Sequence, residues 1–161
     1  MQKITPFLWF DHQAEQAAAF YTSVFERSKI VDVKYYGAAG PGENGSVMSV
    51  TFELDGQTFI ALNGGPNPRM AFSPAVSFFI HCRTQEEVDV LWEKLGEDGE
   101  RLQCGWLRDK FGVTWQVVPT ALGDMLSDAD HKRAERVMHA MMRMGKLDLA
   151  QLQRAYDGES A

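Results

Sequence analysis

The sequence is poor in cysteine and lacks the cysteine motifs of metal sites. Its 161 residues include two cysteines, Cys82 and Cys104, and neither belongs to a Cys-x-x-Cys motif or a Cys/His cluster with zinc spacing. A disulfide framework and a structural zinc site are therefore disfavoured. Two reduced, inert thiols are typical of a cytoplasmic protein, and we expect that location.

Positive charge and long apolar runs are also scarce. The formal net charge is −6, whereas a nucleic-acid surface needs a basic stripe and an anionic membrane attracts basic segments. No apolar run approaches the roughly 20 residues that span a bilayer. Residues 1–6 lack the long apolar core of a signal peptide. We therefore expect neither nucleic acid nor a membrane as a partner.

The residues that are present predict a first β-α-β-β-β module over residues 3–63. Apolar residues recur at helical spacing over 12–26, with Asp11 as the expected helix N-cap. Asp55-Gly56 is a strong signal for a two-residue hairpin turn. The β-rich runs of this module are 4–10, 29–36, 46–54 and 57–62.

The same order of elements is predicted again over residues 75–118. Thr84 and Glu87 form a capping box at the start of an amphipathic helix. Two such modules predict an α+β fold whose strands form a cupped mixed sheet with the helices on its outer face. The expected strands of the second module are 75–82, 101–104, 106–109 and 113–118.

Residues 120–161 are expected to form a helical C-terminal extension of the domain that covers residues 1–119. Ser127 with Asp130 indicates a capping box, and Gly145 is the expected C-cap of that helix. Its methionines favour packing against the sheet or against a second subunit, and we expect a homodimer. These methionines are Met138, Met141, Met142 and Met144.

A glycine-rich segment, residues 37–45, resembles a nucleotide loop only in composition. A phosphate-binding loop leads into a helix N-terminus, whereas this segment leads into a predicted strand. We interpret it as a mobile hairpin loop that closes over the concave face. The sequence also lacks a glycine-rich strand-to-helix turn, which counts against a conventional S-adenosylmethionine domain.

Three segments carry a family resemblance. The run Cys104–Pro119, the connector Asn63-Gly-Gly-Pro66 and the tail Arg136–Met144 closely resemble the PhnB-like branch of the vicinal-oxygen-chelate superfamily. That superfamily also contains glyoxalases, extradiol dioxygenases and bleomycin-resistance proteins. The resemblance implies two βαβββ modules around a cup. It also implies a relation to proteins that are labelled demethylubiquinone methyltransferases.

The resemblance further implies four strand positions at which metal enzymes of the superfamily place their ligands. Those positions hold no carboxylate here, and His81 is the one imidazole on the predicted cup face, which is a poor donor set for a divalent cation. We therefore expect neither a metal nor another cofactor. The matched positions are Thr5, Ala61 or Asn63, Ser77 and Gln116. Strand alternation predicts a cup face of Thr5, Phe7, Trp9, Phe59, Ala61, Asn63, Ser77, Phe79, His81, Thr114, Gln116 and Val118.

Three functions remain open at this point. The first is a small-molecule binding protein whose aromatic cup takes a planar or aromatic ligand. The second is a metal-independent isomerase or lyase in which His81 or Asp109 acts as acid or base. The third is a glyoxalase-like or dioxygenase-like metal enzyme with ligands at other positions. Each residue also has a structural interpretation: a hydrogen-bonded histidine for His81, a buried thiol for Cys104 and helix capping for Asp128 and Asp130.

Overall fold

The computed structural model describes residues 2–159. The chain divides between Ala71 and Phe72 into two compact units. This division falls in the connector between the two predicted modules. Each unit contains one four-stranded mixed sheet, so the strands form two sheets, one in each module. The predicted pair of βαβββ modules and the helical tail are confirmed.

The first unit has the strand order β1-β4-β3-β2, in which β1 is parallel to β4 and the other pairs are antiparallel. The predicted hairpin at Asp55-Gly56 is confirmed. Both residues have positive φ, +48° and +82°, as a tight turn between twisted strands requires. The elements are β1 (Phe7–Phe10), α1 (Ala14–Val24), β2 (Lys29–Tyr35), β3 (Val47–Leu54), β4 (Gln57–Asn63) and a 3₁₀ turn (Pro68–Met70).

The start of α1 differs from the prediction. Asp11 is not the N-cap, because the helix begins at Ala14 after an N-cap residue, Gln13, whose side chain makes no capping hydrogen bond. Instead, Asn63 at the end of β4 accepts a hydrogen bond from the Ala14 amide through Oδ1, at 2.8 Å. A residue distant in sequence therefore satisfies one of the free amide groups at the helix terminus.

One face of the first sheet is covered by α1. The helix buries three alanines together with Tyr21 and Val24, and small side chains allow a close approach to the sheet. The Tyr21 ring stacks on Phe52 at a centroid distance of 6.1 Å, and Phe52 stacks on Phe59 at 5.5 Å. This aromatic stack forms the centre of the core of the first unit.

The glycine-rich loop is packed around Tyr36. The Tyr36 side chain is buried and donates its hydroxyl to the Asn63 carbonyl at 2.6 Å. A Cβ added to Gly42 would lie 2.3 Å from the Tyr36 ring, so glycine is required for this close approach. The loop is closed by hydrogen bonds from Tyr36 to Ser46 and from Gly45 to Tyr36. The segment is therefore a hydrogen-bonded loop between β2 and β3 that packs on Tyr36, and its mobility stays a prediction.

The second unit has the strand order β5-β8-β7-β6, again with one parallel pair, β5 with β8. The predicted N-cap is confirmed, because the Thr84 hydroxyl accepts a hydrogen bond from the Glu87 amide. The Glu87 carboxylate accepts a hydrogen bond from the Arg83 amide, one residue before the N-cap, instead of from the Thr84 amide as in a full capping box. The elements are β5 (Phe78–Cys82), α2 (Gln85–Leu95), β6 (Glu100–Arg101), β7 (Trp106–Arg108) and β8 (Thr114–Pro119).

Three helices follow, α3 (Thr120–Leu126), α4 (His131–Met141) and α5 (Leu149–Asp157), and they pack within the second unit. Asp130 caps α4 by accepting from the Lys132 amide, so Ser127 is not the N-cap. Gly145 is not the C-cap either, since α4 ends at Met141 and the Gly145 carbonyl accepts a hydrogen bond from the Gly105 amide. None of the helices in residues 2–159 is long and apolar enough to cross a membrane. The tail core comprises Val118, Leu122, Met125, Val137, Met144, Leu147 and Leu152.

Candidate functional site

The face of the second sheet that is not covered by α2 combines aromatic and polar side chains. The strand register pairs Phe79 with Gln116 and His81 with Val118, so these four side chains project from one face. Thr114 pairs with Arg108 on the same face. The register thus brings together the residues that alternation assigned to the cup in the second module. We call this surface the open face of the second sheet.

The aromatic part of this face is formed by Phe79 and His81. The Phe79 side chain is 48% exposed although it lies near the middle of β5. The His81 ring lies 4.9 Å from it between centroids, in a tilted arrangement. Within residues 2–159 the imidazole forms no hydrogen bond, so its partner is an aromatic ring, contrary to the structural interpretation from sequence.

The polar part is formed by Ser77, Gln116 and Thr114. Gln116 donates a hydrogen bond through Nε2 to the Ser77 hydroxyl at 2.9 Å, which leaves the amide oxygen as an acceptor. Thr114 is 2% exposed, and its Oγ1 has no hydrogen-bond partner in the described part of the chain. A buried hydroxyl without a partner costs about 1–3 kcal/mol.

The first sheet presents a different set of side chains from the one predicted. The register pairs Phe7 with Ile60 and Trp9 with Leu62, so Ile60 and Leu62 share the face of the two aromatic residues. Thr5 precedes this strand by two residues.

The placement of Phe59, Ala61 and Asn63 on that face is wrong. Phe59 and Ala61 are buried on the opposite face, which α1 covers. Both polar atoms of the Asn63 side chain form hydrogen bonds inside the first unit. Oδ1 caps α1, and Nδ2 donates to the Val47 carbonyl at 3.1 Å. Both sets of alternating residues in β4 are largely apolar, so alternation alone gave no basis for choosing between the faces.

Trp9 is held at the edge of this face by the connector after β4. Its indole Nε1 donates a hydrogen bond to the Gly65 carbonyl at 3.0 Å. A Cβ on Gly64 would lie 2.2 Å from the indole ring, so the connector packs directly on the tryptophan. The Asn63-Gly-Gly-Pro66 motif therefore fixes the position of Trp9.

Asp109 does not belong to the open face of the second sheet. Its carboxylate accepts hydrogen bonds from the amides of Phe111 and Val113 and from the Trp115 indole, at 2.9, 3.0 and 2.8 Å. Trp115 pairs with Phe78, on the face opposite to His81. Asp109 is 3% exposed and holds the turn between β7 and β8. The structure therefore separates the two residues predicted as acid or base.

A cleft of about 280 Å³, which was not among the predicted sites, lies within the first unit. It forms where the start of α1, the glycine-rich loop and the connector after β4 meet. The signal that could have located it is the pair of glycine-rich segments, 37–45 and 64–65, which flank a helix start in space. The cleft is lined by Asp11, His12, Glu15, Tyr36, Pro41, Gly42, Ser46, Val47, Asn63, Gly64 and Gly65.

Neither cysteine has the surroundings of a nucleophile. Burial, with a smaller contribution from the charge of Glu87, raises the pKa of the Cys82 thiol to about 11, so it stays protonated at neutral pH. The Cys104 thiol contacts the Met141 carbonyl at 3.6 Å and the Met142 sulfur at 3.7 Å. Both thiols are unpaired.

No group of three or more His, Cys, Asp or Glu side chains within residues 2–159 could hold a metal ion. The acidic residues near the start of α4 have capping contacts: Asp128 accepts from the Asp130 amide at 2.7 Å and from the Tyr156 hydroxyl. Hydrogen bonding to Tyr156 lowers the Asp128 pKa. The donor set of the open face, one imidazole with an amide and hydroxyls, does not fit a divalent cation.

Two βαβββ modules, each with an open sheet face, define the class as a protein of the glyoxalase/bleomycin-resistance/dioxygenase fold, of the PhnB-like type. Within that class, the chain belongs to the 3-demethylubiquinone-9 3-methyltransferase family, whose family model matches residues 2–118. The helical tail lies outside the matched segment.

Several solved structures are similar to this chain, among them the following two. A PhnB protein from Bacillus cereus is 42% identical, with a TM-score of 0.67, over 73% of this chain and 99% of the other. Protein PA1353 from Pseudomonas aeruginosa is 19% identical, with a TM-score of 0.63, over 74% of this chain and 98% of the other, and this likeness concerns the fold alone. No curated protein matches the sequence.

Proposed function

We propose that this PhnB-like protein binds a small planar organic molecule on the open face of its second sheet, without a metal. The observation that carries the proposal is the exposed Phe79 ring, which lies against His81 beside the hydrogen-bonded pair Gln116 and Ser77. An aromatic wall with a few polar anchors is the usual composition of a small-molecule site. Phe7 and Trp9 of the first sheet are further aromatic residues that we expect to contact a planar ligand.

Each part of this face has a role in the proposal. Phe79 stacks on the planar part of the ligand, since offset aromatic stacking adds to the burial of apolar area. The Gln116 amide oxygen, which the hydrogen bond from Nε2 to Ser77 leaves available, accepts a hydrogen bond from the ligand, and the Ser77 hydroxyl beside it is the second polar anchor. A ligand that satisfies these groups would be selected over an apolar molecule of the same shape.

The experiment is a thermal-shift screen of a library of aromatic metabolites in buffer with chelator, followed by calorimetric titration of the hits. Phe79→Ala is expected to weaken binding about tenfold or more, because it removes the stacking surface. Val90→Ala, at an exposed position on α2, serves as the matched control and should bind like the wild type. Hits that need an added divalent metal, or that bind Phe79→Ala unchanged, contradict the proposal.

A second candidate function is a metal-independent isomerase or lyase with His81 as acid or base. The observation that favours it is the exposed imidazole on the same face as Gln116, whereas Asp109 is engaged in the β7–β8 turn. His81→Ala would abolish turnover of a bound ligand under this proposal and leave binding nearly unchanged under the first. A conventional methyltransferase mechanism with S-adenosylmethionine is not favoured for this chain, because its glycine-rich segment leads from strand β2 into strand β3 and not into a helix.

We further propose that the protein is a cytoplasmic homodimer. The unpaired thiols support the location, and several large apolar side chains that remain exposed support the dimer. Light scattering at micromolar concentration is expected to give twice the chain mass of 18.1 kDa. A mass of one chain refutes the dimer without affecting the ligand proposal.

A further inference from the structure

The outer strand of the first sheet, β2, presents an unusually apolar edge. It pairs with β3 on one side and is the last strand in the order β1-β4-β3-β2. Its side chains Ile30, Val31 and Tyr35 are 45%, 51% and 61% exposed. An edge strand offers a row of unpaired backbone groups, and apolar side chains beside them favour pairing with a further strand.

The charged side chains of β2 are arranged so that they are complementary to those of a second, antiparallel β2 strand. Asp32 and Lys34 pair with Thr51 and Ser49 of β3, so both project from the same face of the sheet. In the part of the chain that the structure describes, neither has an ion-pair partner, whereas Lys29 on the same strand lies 3.5 Å from Glu53. One acidic and one basic residue, two positions apart, are thus available to an incoming strand.

We infer that β2 pairs in antiparallel orientation with β2 of a second copy of this chain, with Val33 opposite its own counterpart at the two-fold axis. In this register Asp32 of each copy lies opposite Lys34 of the other. Opposite charges directly across an antiparallel pair are favourable, whereas like charges are unfavourable. The inference rests on the proposed homodimer and adds the surface and the register.

Other registers lose this complementarity. Pairing Asp32 with Lys29 of the second copy would place Lys34 opposite Arg27, and it would compete with the Lys29–Glu53 ion pair. Centring the axis on Asp32 or on Lys34 would place identical charges opposite each other. The register centred on Val33 is therefore the one in which Asp32 and Lys34 are both matched.

Lysines and bulges on an edge strand normally prevent open-ended pairing. In β2 the two irregularities in pairing lie between Ile30 and Asp32 and between Lys34 and Tyr35, so they flank the central segment 32–34, which is regular. An isologous two-fold contact uses both edges at once and stops at the dimer. The other edge strands are less suited, because β1, β5 and β6 have four, five and two residues against seven in β2.

The first test is a charge reversal followed by size-exclusion chromatography with light scattering. Asp32→Lys and Lys34→Asp are each expected to raise the dimer dissociation constant about tenfold or more, because like charges then face each other twice. The double variant Asp32→Lys/Lys34→Asp restores opposite charges and is expected to dimerise like the wild type. Lys132→Asp, in the first turn of α4 where an acidic residue is tolerated, makes the same charge change as Lys34→Asp and should leave the dimer intact.

The second test determines whether Val33 lies opposite Val33 of the second copy. Val33→Cys in a Cys104→Ala background is expected to form a disulfide-linked dimer under mild oxidation, because residues opposite each other in an antiparallel pair have Cβ atoms about 4.5–5.5 Å apart. Val76→Cys, an exposed valine of the second unit, is the control and should cross-link far more slowly.

The possible outcomes distinguish an error in the proposed β2 pairing surface from an error in the proposed homodimer. A single-chain mass for the wild type overturns both the homodimer and this inference. A wild-type dimer that survives both single reversals, or that the double variant fails to restore, overturns the surface and leaves the dimer standing. Loss of the dimer in the single variants, with rescue in the double variant and rapid Val33→Cys cross-linking, establishes the pairing.

Discussion

The Asn63 side chain caps helix α1 through a hydrogen bond of 2.8 Å from the Ala14 amide to Oδ1. The same side chain donates through Nδ2 to the Val47 carbonyl at 3.1 Å. One amide therefore links the end of β4 to both α1 and β3. The asparagine of the Asn63-Gly-Gly-Pro66 motif stabilises the helix start that lines the cleft of the first unit.

Asn63→Ala is expected to lower the free energy of unfolding by about 1–2 kcal/mol, because it removes a helix cap and leaves the Val47 carbonyl without its donor. Asn63→Asp retains the acceptor for Ala14 but places a carboxylate oxygen against the Val47 carbonyl, so it should also destabilise the protein. Urea denaturation measures the difference. Asn67→Ala, which removes an exposed cap of the one-turn 3₁₀ helix, is the control. Equal losses in the two alanine variants would contradict the role of Asn63.

Gly42→Ala is expected to destabilise the protein by about 1–3 kcal/mol, because the added Cβ would overlap the buried Tyr36 ring. The Cβ position lies 2.3 Å from that ring, whereas a Cβ on Gly37 in the same loop has no heavy atom within 4 Å. Gly37→Ala is therefore the control, and its thermal midpoint should match the wild type. If both variants melt like the wild type, the packing of the loop on Tyr36 is wrong.

Sequence reasoning succeeded where the chemistry is local. The Asp55-Gly56 turn and the Thr84 N-cap with its bond from the Glu87 amide depend on neighbouring residues, and both were predicted. The Asp11 cap failed because its place is taken by Asn63, whose oxygen reaches the Ala14 amide across 49 positions of sequence. No local pattern contains a contact of that kind.

The open faces of the two sheets were predictable to different degrees. In β8, polar residues at 114 and 116 alternate with Trp115 and Val117. The alternation therefore predicts that Trp115 and Val117 face the helices. In β4, the run Phe59-Ile60-Ala61-Leu62 is apolar at every position, so its orientation depends on the pairing with β1. The error in the first unit follows from this lack of alternation.

Asp109→Asn is expected to lower the free energy of unfolding by about 1–3 kcal/mol, because the amide keeps one acceptor oxygen, which can serve the Trp115 indole or the turn amides but not both. Chemical denaturation followed by tryptophan fluorescence measures the loss. Asp124→Asn, at an exposed position of α3, provides the matched control. A stability equal to that of the wild type would show that the three hydrogen bonds of Asp109 do not hold the turn.

The buried Cys82 thiol predicts a loss of stability at alkaline pH. Its pKa is raised from 9.0 to about 11, so between these values the unfolded chain loses the proton that the folded protein keeps. Stability is therefore unaffected by this group below about pH 9 and falls as the pH rises towards 11, by about 1–2 kcal/mol once solvent screening is allowed for. Cys82→Ala should remove this part of the pH dependence. An unchanged slope in urea titrations between pH 9 and 11 would contradict the assignment.

The most direct test of the proposed ligand site is nuclear magnetic resonance of the isotopically labelled protein, titrated with a hit of the aromatic library in the presence of chelator. The largest chemical-shift changes are expected at Phe79, His81, Thr114 and Gln116, on the open face of the second sheet. Shifts confined to the cleft of the first unit, around Asp11, Tyr36 and Ser46, would contradict it. So would shifts that appear only after a divalent metal is added.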